Sequence, residues 1–227
     1  MRHSTTDFPR SKDGSLHVTD EVWNTIISSL GALFSLVGVI PMILHAKTVA
    51  PASHVLALVI YGFGLVNMFV SSALHHGVHG SPKTNHYLWL YDYFSISLMI
   101  AGTFTPFCII LMNNALGWTV LGLIWTLALA GIALKGFFPR VPRWIMTSLF
   151  IGMGWMSLLI VKPLYQAIHW QGFAFLLLGG LFYTVGGLIY VFEKPNLLPG
   201  KFGFHEIWHC FVVAGAGSHF YLIYSYL

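Results

Sequence analysis

Between Tyr93 and Leu134 the chain contains no Asp, Glu, Lys, Arg or His. A soluble domain needs charged side chains on its surface at short intervals, and this stretch supplies none. Because a helix needs about 20 apolar residues to cross the hydrocarbon core, the stretch is long enough for two crossings. Asn113 and Asn114, followed by Gly117, supply a turn that would divide it in two. The sequence therefore predicts a membrane protein.

The shortage of charge extends over most of the chain, which is 56% hydrophobic and 8% charged and has a mean hydropathy of +0.74. The apolar runs are long and lack the alternation of barrel strands. We therefore predict an all-α integral membrane protein, a bundle of seven transmembrane helices. The predicted spans are 22–45, 54–76, 87–111, 115–135, 144–162, 172–192 and 205–226. Residues 21–227 would form one transmembrane domain, and residues 1–20 an uncleaved polar cytoplasmic tail.

The Lys and Arg residues predict the orientation of the bundle, because cytoplasmic segments carry an excess of basic residues. With a cytoplasmic N-terminus, nine of the eleven basic residues fall inside the cell: Arg2, Arg10, Lys12, Lys83, Lys135, Arg140, Arg143, Lys194 and Lys201. The other two, Lys47 and Lys162, fall outside. An odd number of helices then places the C-terminus outside. We predict a multi-pass protein of the cell membrane, in contact with the lipid bilayer.

Two other classes of function receive no support from the composition. The net charge of +4 comes from basic residues scattered between apolar runs, so it does not indicate a nucleic-acid partner. Cys108 and Cys210 lie far apart, each within an apolar run, and form no metal-binding or disulfide motif. We expect both cysteines to be small apolar residues of the membrane domain.

Titratable residues from three predicted helices meet at the cytoplasmic membrane face. His75 ends helix two, Asp92 opens helix three, and His205 and His209 open helix seven on one side of that helix. Three neutral imidazoles and a water form an open tetrahedral zinc site. A carboxylate that is not a ligand can hold or deprotonate the water, and Ser71 could donate to that water or to an oxyanion. The predicted ligands are therefore the three histidines, with Asp92 and Ser71 as catalytic residues.

Other residues near the predicted site leave its membership open. His76, His79 and His86 crowd the same segment as His75, so one of them could take its place. Glu206 lies next to His205 but points about 100° away on the helix, so it is interpreted as a non-ligand.

An ordered set of motifs accompanies these residues: Glu21-x-x-Asn24, Ser71-x-x-x-His75, Asp92, Ala101-Gly-Thr-Phe-Thr-Pro-Phe107 and His205-Glu-Ile-Trp-His209. The set resembles the hemolysin III branch of the progestin and adiponectin receptor (PAQR) family, whose members have seven helices. The resemblance implies that zinc is held by His75, His205 and His209 and that Asp92 contacts the zinc-bound water. One departure is that the family often has a His soon after the first-helix Asn, where this chain reads Thr-Ile-Ile-Ser-Ser-Leu.

Three functions fit this pattern. The first is a zinc-dependent hydrolase of a lipid amide or ester, with the ceramidase-like chemistry that resemblance to the wider superfamily implies; Asp92 would be its general base. The second is a non-enzymatic membrane-homeostasis or signalling protein in which zinc braces the helices. The third is a transporter, pore or cytolysin, as the hemolysin name suggests. A proton-coupled transporter usually carries a carboxylate near the bilayer midplane, whereas the predicted topology places all seven acidic residues in the tail, loops or helix ends.

Overall fold

A computed structural model describes residues 21–198 and 202–226 of the chain. In this part the chain is helical, and its extended backbone is limited to one isolated bridge between Leu198 and Phe202. The helices are α1 (Glu21–Val49), α2 (Ala52–Gly77), α3 (Pro82–Pro106), α4 (Ala115–Phe137), α5 (Arg143–Trp155), α6 (Val161–Phe192) and α7 (Phe204–Ser225). The all-helical prediction is confirmed for the described residues, whereas the predicted tail, residues 1–20, lies outside them.

Within residues 21–198 and 202–226, five helical segments are long and apolar enough to cross a membrane: Glu21–Val49, Ala52–Gly77, Pro82–Met112, Ala115–Phe137 and Arg143–Phe192. The outward surface of the first is strongly apolar, with the Phe34 side chain 67% exposed and Val37 62% exposed. Exposure of such large apolar side chains is unfavourable in water but costs nothing in lipid. The structure therefore agrees with a membrane location.

The turn predicted in the long uncharged stretch is confirmed. α3 continues through a π-helical segment, Phe107–Met112, and ends where Asn113 adopts a left-handed conformation with φ of 37°. Asn114 then caps α4, its side-chain oxygen accepting from the Gly117 backbone N–H at 2.9 Å. Asn tolerates left-handed φ and is a good N-cap, so these two residues end one helix and begin the next.

The structure begins α3 five residues earlier than the sequence predicted. Ser81 is its N-cap, accepting from the Thr84 N–H at 3.2 Å, and Pro82 occupies the first turn. Both residues favour a helix start at these positions. As a result, Asp92 does not open α3 but lies ten residues inside it, about 15 Å along the axis.

Helices α1, α2 and α3 pack antiparallel through small and polar residues. The Ser28 and Ser72 hydroxyls of α1 and α2 lie 2.9 Å apart. Between α2 and α3 the backbones themselves approach, because a Cβ at Gly64 would lie 3.1 Å from the Leu98 carbonyl oxygen. Close approach of this kind is how membrane helices gain packing energy without a hydrophobic driving force.

α5 and α6 form a helical hairpin whose turn lies inside α6. Arg143 pairs with Glu193 at 2.8 Å, and Trp155 Nε1 donates to Thr184 Oγ1 at 3.0 Å, so α5 runs antiparallel to the second half of α6. The reversal occurs at His169, whose φ of 51° and ψ of −168° are not helical. This break lies between the predicted spans 144–162 and 172–192.

α7 closes the bundle by packing on α1 and α6. Asn24 of α1 hydrogen-bonds Glu206 of α7, and a Cβ at Gly38 would lie 2.6 Å from the Phe220 ring. Asn24 and Glu206 lie near the starts of α1 and α7, whereas Gly38 and Phe220 lie further along the same two helices. Because both pairs are in contact in this order, α1 and α7 run parallel. Their N-terminal ends therefore lie side by side, next to the C-terminal end of α2.

Candidate metal centre

Five titratable side chains are buried together at this end of the bundle. They come from the end of α2, the interior of α3 and the first turns of α7. Their side chains are between 2% and 8% exposed: His75 4%, His76 2%, Asp92 8%, His205 4% and His209 4%. Burying several ionisable groups in an apolar bundle is costly, so their clustering indicates a function.

His76, His205 and His209 form a triad in which one nitrogen from each ring lies within 4.8 Å of the others. The rings of His205 and His209 lie nearly parallel, at 25°, because the residues are one turn apart on α7. The His76 ring from α2 is perpendicular to both, at 88° and 90°. Two helices thus direct three imidazoles at one point.

The spacing of two members of the triad fits a metal ion. His76 Nε2 and His209 Nε2 are 3.2 Å apart. Two nitrogens that each bind a tetrahedral zinc at about 2.0–2.1 Å are about 3.3–3.4 Å from one another. Neutral imidazole is also a common zinc ligand, so both the spacing and the donor chemistry suit this ion.

His75, the helix-two ligand predicted from the sequence, belongs to a different group in the structure. Its ligand atom lies within 4.8 Å of those of His76 and Asp92, not within the triad on α7. Because successive helical residues are 100° apart, His76 turns towards α1 and α7 while His75 turns towards α3. The structure therefore brings His76, rather than His75, together with His205 and His209 and places His75 beside the carboxylate. Metal binding by His75 stays a prediction, with His76 as the alternative ligand.

Ser71 is buried next to Asp92 but makes its shortest contacts elsewhere. Its hydroxyl oxygen lies 2.6 Å from Ser95 Oγ, 2.8 Å from the Met68 carbonyl and 3.5 Å from Asp92 Oδ1. Ser95 in turn donates to the backbone carbonyl of Asp92 at 2.7 Å. Since a hydroxyl carries a single proton, Ser71 supports Asp92 chiefly through Ser95 and the helix backbone.

The other histidines and the acidic residue near the predicted site lie outside both groups. His79 and His86 are exposed and join neither buried group of the described chain. Glu206 is fully buried, and its Oε2 accepts from the Gly203 backbone N–H at 2.7 Å, which caps α7. Its interpretation as a non-ligand agrees with this capping role.

Glu21 is a contact of the centre to which the sequence reasoning gave no role. Its Oε2 lies 2.5 Å from Nδ1 of His76. Its place in the Glu21-x-x-Asn24 motif marked it, but only the packing of α1 on α2 reveals its partner.

A cavity extends from the centre into the bundle. His75, Asp92, His205 and His209 line one end of it, and His219 lines the other. His209 and His219 are ten residues apart on α7, a distance of about 15 Å. The cavity therefore extends along nearly three turns of α7.

The walls of this cavity are mostly apolar. They include Met68, Ile96, Met99, Phe104, Phe173 and Leu176. Leu158, which lies between α5 and α6, also lines the cavity, and its side chain is 52% exposed. The wall of the cavity between α5 and α6 is therefore not fully covered by packing.

Comparisons with known proteins agree with this architecture. The sequence matches the family described as "Haemolysin-III related" over residues 16–220. Hemolysin-3 of Bacillus cereus is 39% identical over 210 residues, which cover 92% of this chain and 93% of that protein. The Hemolysin-3 homolog of Bacillus subtilis (strain 168) is 35% identical over 211 residues, with coverage of 92% and 95%.

A plant protein extends the similarity beyond bacteria. Heptahelical transmembrane protein 4 of Arabidopsis thaliana is 30% identical over 184 residues, which cover 70% of this chain and 45% of that protein. The match of the family over most of the chain, together with the apolar helices, establishes a multi-pass membrane protein. The chain belongs to the haemolysin III-related family, the hemolysin III branch of the PAQR proteins that its motifs resembled.

Proposed function

We propose that this protein is a zinc-dependent hydrolase that cleaves an amide or ester bond of a membrane lipid, with ceramidase-like chemistry. The observation that carries the proposal is the apolar cavity that ends at Asp92 and the buried histidines. An acyl chain fits the apolar walls, and the bond to be cleaved would then lie beside the polar end. Access at Leu158 would let the lipid enter from the bilayer.

In this proposal His76, His205 and His209 hold the zinc, and Asp92 is the general base. Zinc on three imidazoles supplies an activated water and a Lewis acid that polarises a carbonyl. Asp92 lies beside His75 and His76 and lines the cavity, so its carboxylate can accept the proton of the attacking water. Ser95 and Ser71 hold the α3 backbone at Asp92 in place. The proton would then move from Asp92 to His75, which lies beside it in the cavity wall, and from His75 to the leaving group.

The proposal includes seven membrane spans with a cytoplasmic N-terminus and an outside C-terminus, so that residues 21–227 act as one domain. The hairpin at His169 supports two crossings in the 50-residue segment Arg143–Phe192, because that length is more than twice what one crossing needs. α7 has 22 residues and packs parallel to α1, which supports a seventh span despite its histidines. The nine-to-two distribution of basic residues supports the orientation.

A second candidate function is a structural one, in which zinc clamps the bundle without catalysis. It is favoured by one observation, that the triad joins α2 to α7, which are distant in sequence. A membrane-homeostasis or signalling protein would need only this clamp. The relative from Bacillus cereus carries a hemolysin name, and a cytolytic activity would be a third candidate.

The change Asp92→Asn distinguishes the hydrolase from the clamp, because Asp92 is not in the triad and Asn is nearly isosteric. We expect the purified variant to retain its zinc and its fold. Turnover of a fluorescent ceramide in mixed micelles should fall about 10²–10⁴-fold, the usual contribution of a general base. Zinc is measured by elemental analysis and turnover by product release.

The matched control for this experiment is Glu193→Gln, which removes a carboxylate on the surface pair with Arg143 and should leave both readings unchanged. Equal turnover by Asp92→Asn and wild type would reject the hydrolase and leave the clamp. Absence of zinc from wild-type protein purified without chelators would reject both.

Reporter fusions test the proposed topology. A periplasm-active reporter fused after residue 226 should be active, and the same reporter in the 138–142 connection should be inactive. A cytoplasm-active reporter should give the reverse result. Cytoplasmic location of the C-terminus would contradict both the number of spans and the assignment of the centre to the cytoplasmic face.

A further inference from the structure

We propose that Glu21 is a positioning residue of the metal centre: it fixes the ring of His76 in the form that presents Nε2 to the metal. The inference rests on the proposed metal site and gives a role to the Glu21-x-x-Asn24 motif. It concerns a carboxylate on α1, a helix that contributes no residue to the triad.

The hydrogen bond between the two side chains determines which ring nitrogen of His76 carries the proton. Glu21 Oε2 lies 2.5 Å from His76 Nδ1. An ionised carboxylate has no proton to donate, so Nδ1 must be the donor. In a neutral ring the proton then resides on Nδ1, and Nε2 keeps its lone pair.

The lone pair on Nε2 points to the place where a metal ligand is needed. His76 Nε2 is 3.2 Å from Nε2 of His209, within the triad. Glu21, His76 and the metal would thus form the carboxylate–histidine–zinc arrangement in which the outer carboxylate orients the ligand and raises its basicity.

Burial makes this hydrogen bond stronger than the same bond on the surface would be. The side chain of His76 is 2% exposed and that of Glu21 is 19% exposed, so water screens the hydrogen bond poorly. α1 and α2 also pack closely along this line, with the Ser28 and Ser72 hydroxyls 2.9 Å apart two turns further on. The ring of His76 is therefore held from the α1 side while it faces α7.

The proposal is tested with Glu21→Gln in the full chain in detergent. Gln keeps the size of the side chain and can still join α1 to α2, but its amide can donate to Nδ1 and so permits the other tautomer. We expect the affinity for Co²⁺, measured by competition with a chelator, to fall about 10–100-fold, as for other outer-shell partners. Glu21→Asp, which keeps the carboxylate, should fall between Gln and wild type. Glu193→Gln is the matched control and should retain wild-type affinity.

A second measurement separates positioning from a merely structural tie. In metal-free protein labelled with ¹⁵N-histidine, the signals of His76, identified by their loss in His76→Gln, should show a protonated Nδ1 in wild type. Glu21→Gln should shift this pattern towards protonated Nε2. Unchanged Co²⁺ affinity or an unchanged His76 pattern in Glu21→Gln would overturn the inference. Wild-type protein that binds no Co²⁺ would reject the metal site itself, and the metal-free spectrum would still decide the role of Glu21.

Discussion

His209 and His219 lie on the same helix and line opposite ends of the same cavity, yet their surroundings differ. His209 faces Nε2 of His76 at 3.2 Å and stacks on His205. His219 instead lies 3.2 Å from the Leu176 carbonyl, to which its Nε2 can donate, and its ring contacts Phe107 and Tyr183. A carbonyl partner consumes a ring N–H, whereas converging imidazoles offer lone pairs to a cation. The partners brought by other helices therefore decide what a histidine does here.

The largest expected difference between the two ends is in metal binding. His209→Ala should leave the purified protein without stoichiometric zinc, because one of the three proposed ligands is lost. The affinity should fall by more than the roughly 10–100-fold caused by loss of an outer-shell partner. His219→Ala should keep full zinc content by elemental analysis. If His219→Ala lost its zinc while His209→Ala retained it, the metal would bind at the His219 end of the cavity and the prediction would be wrong.

The next largest effect distinguishes the two histidines of α2 by the metal that each variant retains. His76→Ala should lose zinc as His209→Ala does, whereas His75→Ala should retain it, because His75 groups with Asp92 rather than with the triad on α7. Chelator competition on the two variants side by side measures this. If His75→Ala were the variant that loses the metal, the set predicted from sequence would be correct and the triad with His76 rejected.

The smallest effect concerns the stability of the apolar end. His219→Leu removes one hydrogen bond to a helix carbonyl and keeps most of the packing volume, so the free energy of unfolding should fall by about 1 kcal/mol. Thermal unfolding in detergent, followed by circular dichroism, measures this change. A much larger loss would mean that the apolar end, too, depends on a polar network.

Much of the fold was accessible from the sequence because the physical signals are local. Asn113 and Asn114 mark the turn between α3 and α4 by their own conformational preferences. The start of α3 was less accessible, since Lys83 and His86 precede the apolar run, although Ser81 and Pro82 begin a helix there. A polar first turn can extend beyond the apolar span, so hydropathy alone places the start too late.

The candidate site depends on packing that the local sequence does not show. Ser71 and His75 have the same spacing as Ser72 and His76, and all four residues are buried. α2 packs on α1 through Ser72 and on α3 through Ser71, so both faces carry buried small residues and the sequence does not show which pair turns towards α7. The choice depends on the rotation of α2 about its axis, which is set by contacts with α1 and α3 that are distant in sequence.

The glycine contacts have a consequence for how the cavity can change during evolution. At Gly64 and Gly102 an added Cβ would meet backbone atoms of the facing helix at 3.1 and 3.2 Å, so larger residues would separate α2 from α3. At Gly154 and Gly180, which line the cavity on α5 and α6, an added Cβ would meet nothing within 4 Å. One wall is therefore fixed by packing, while side chains on the other can grow into open space. Relatives could acquire shorter or narrower ligand chambers by substitution on α5 and α6 while the histidine end stays the same.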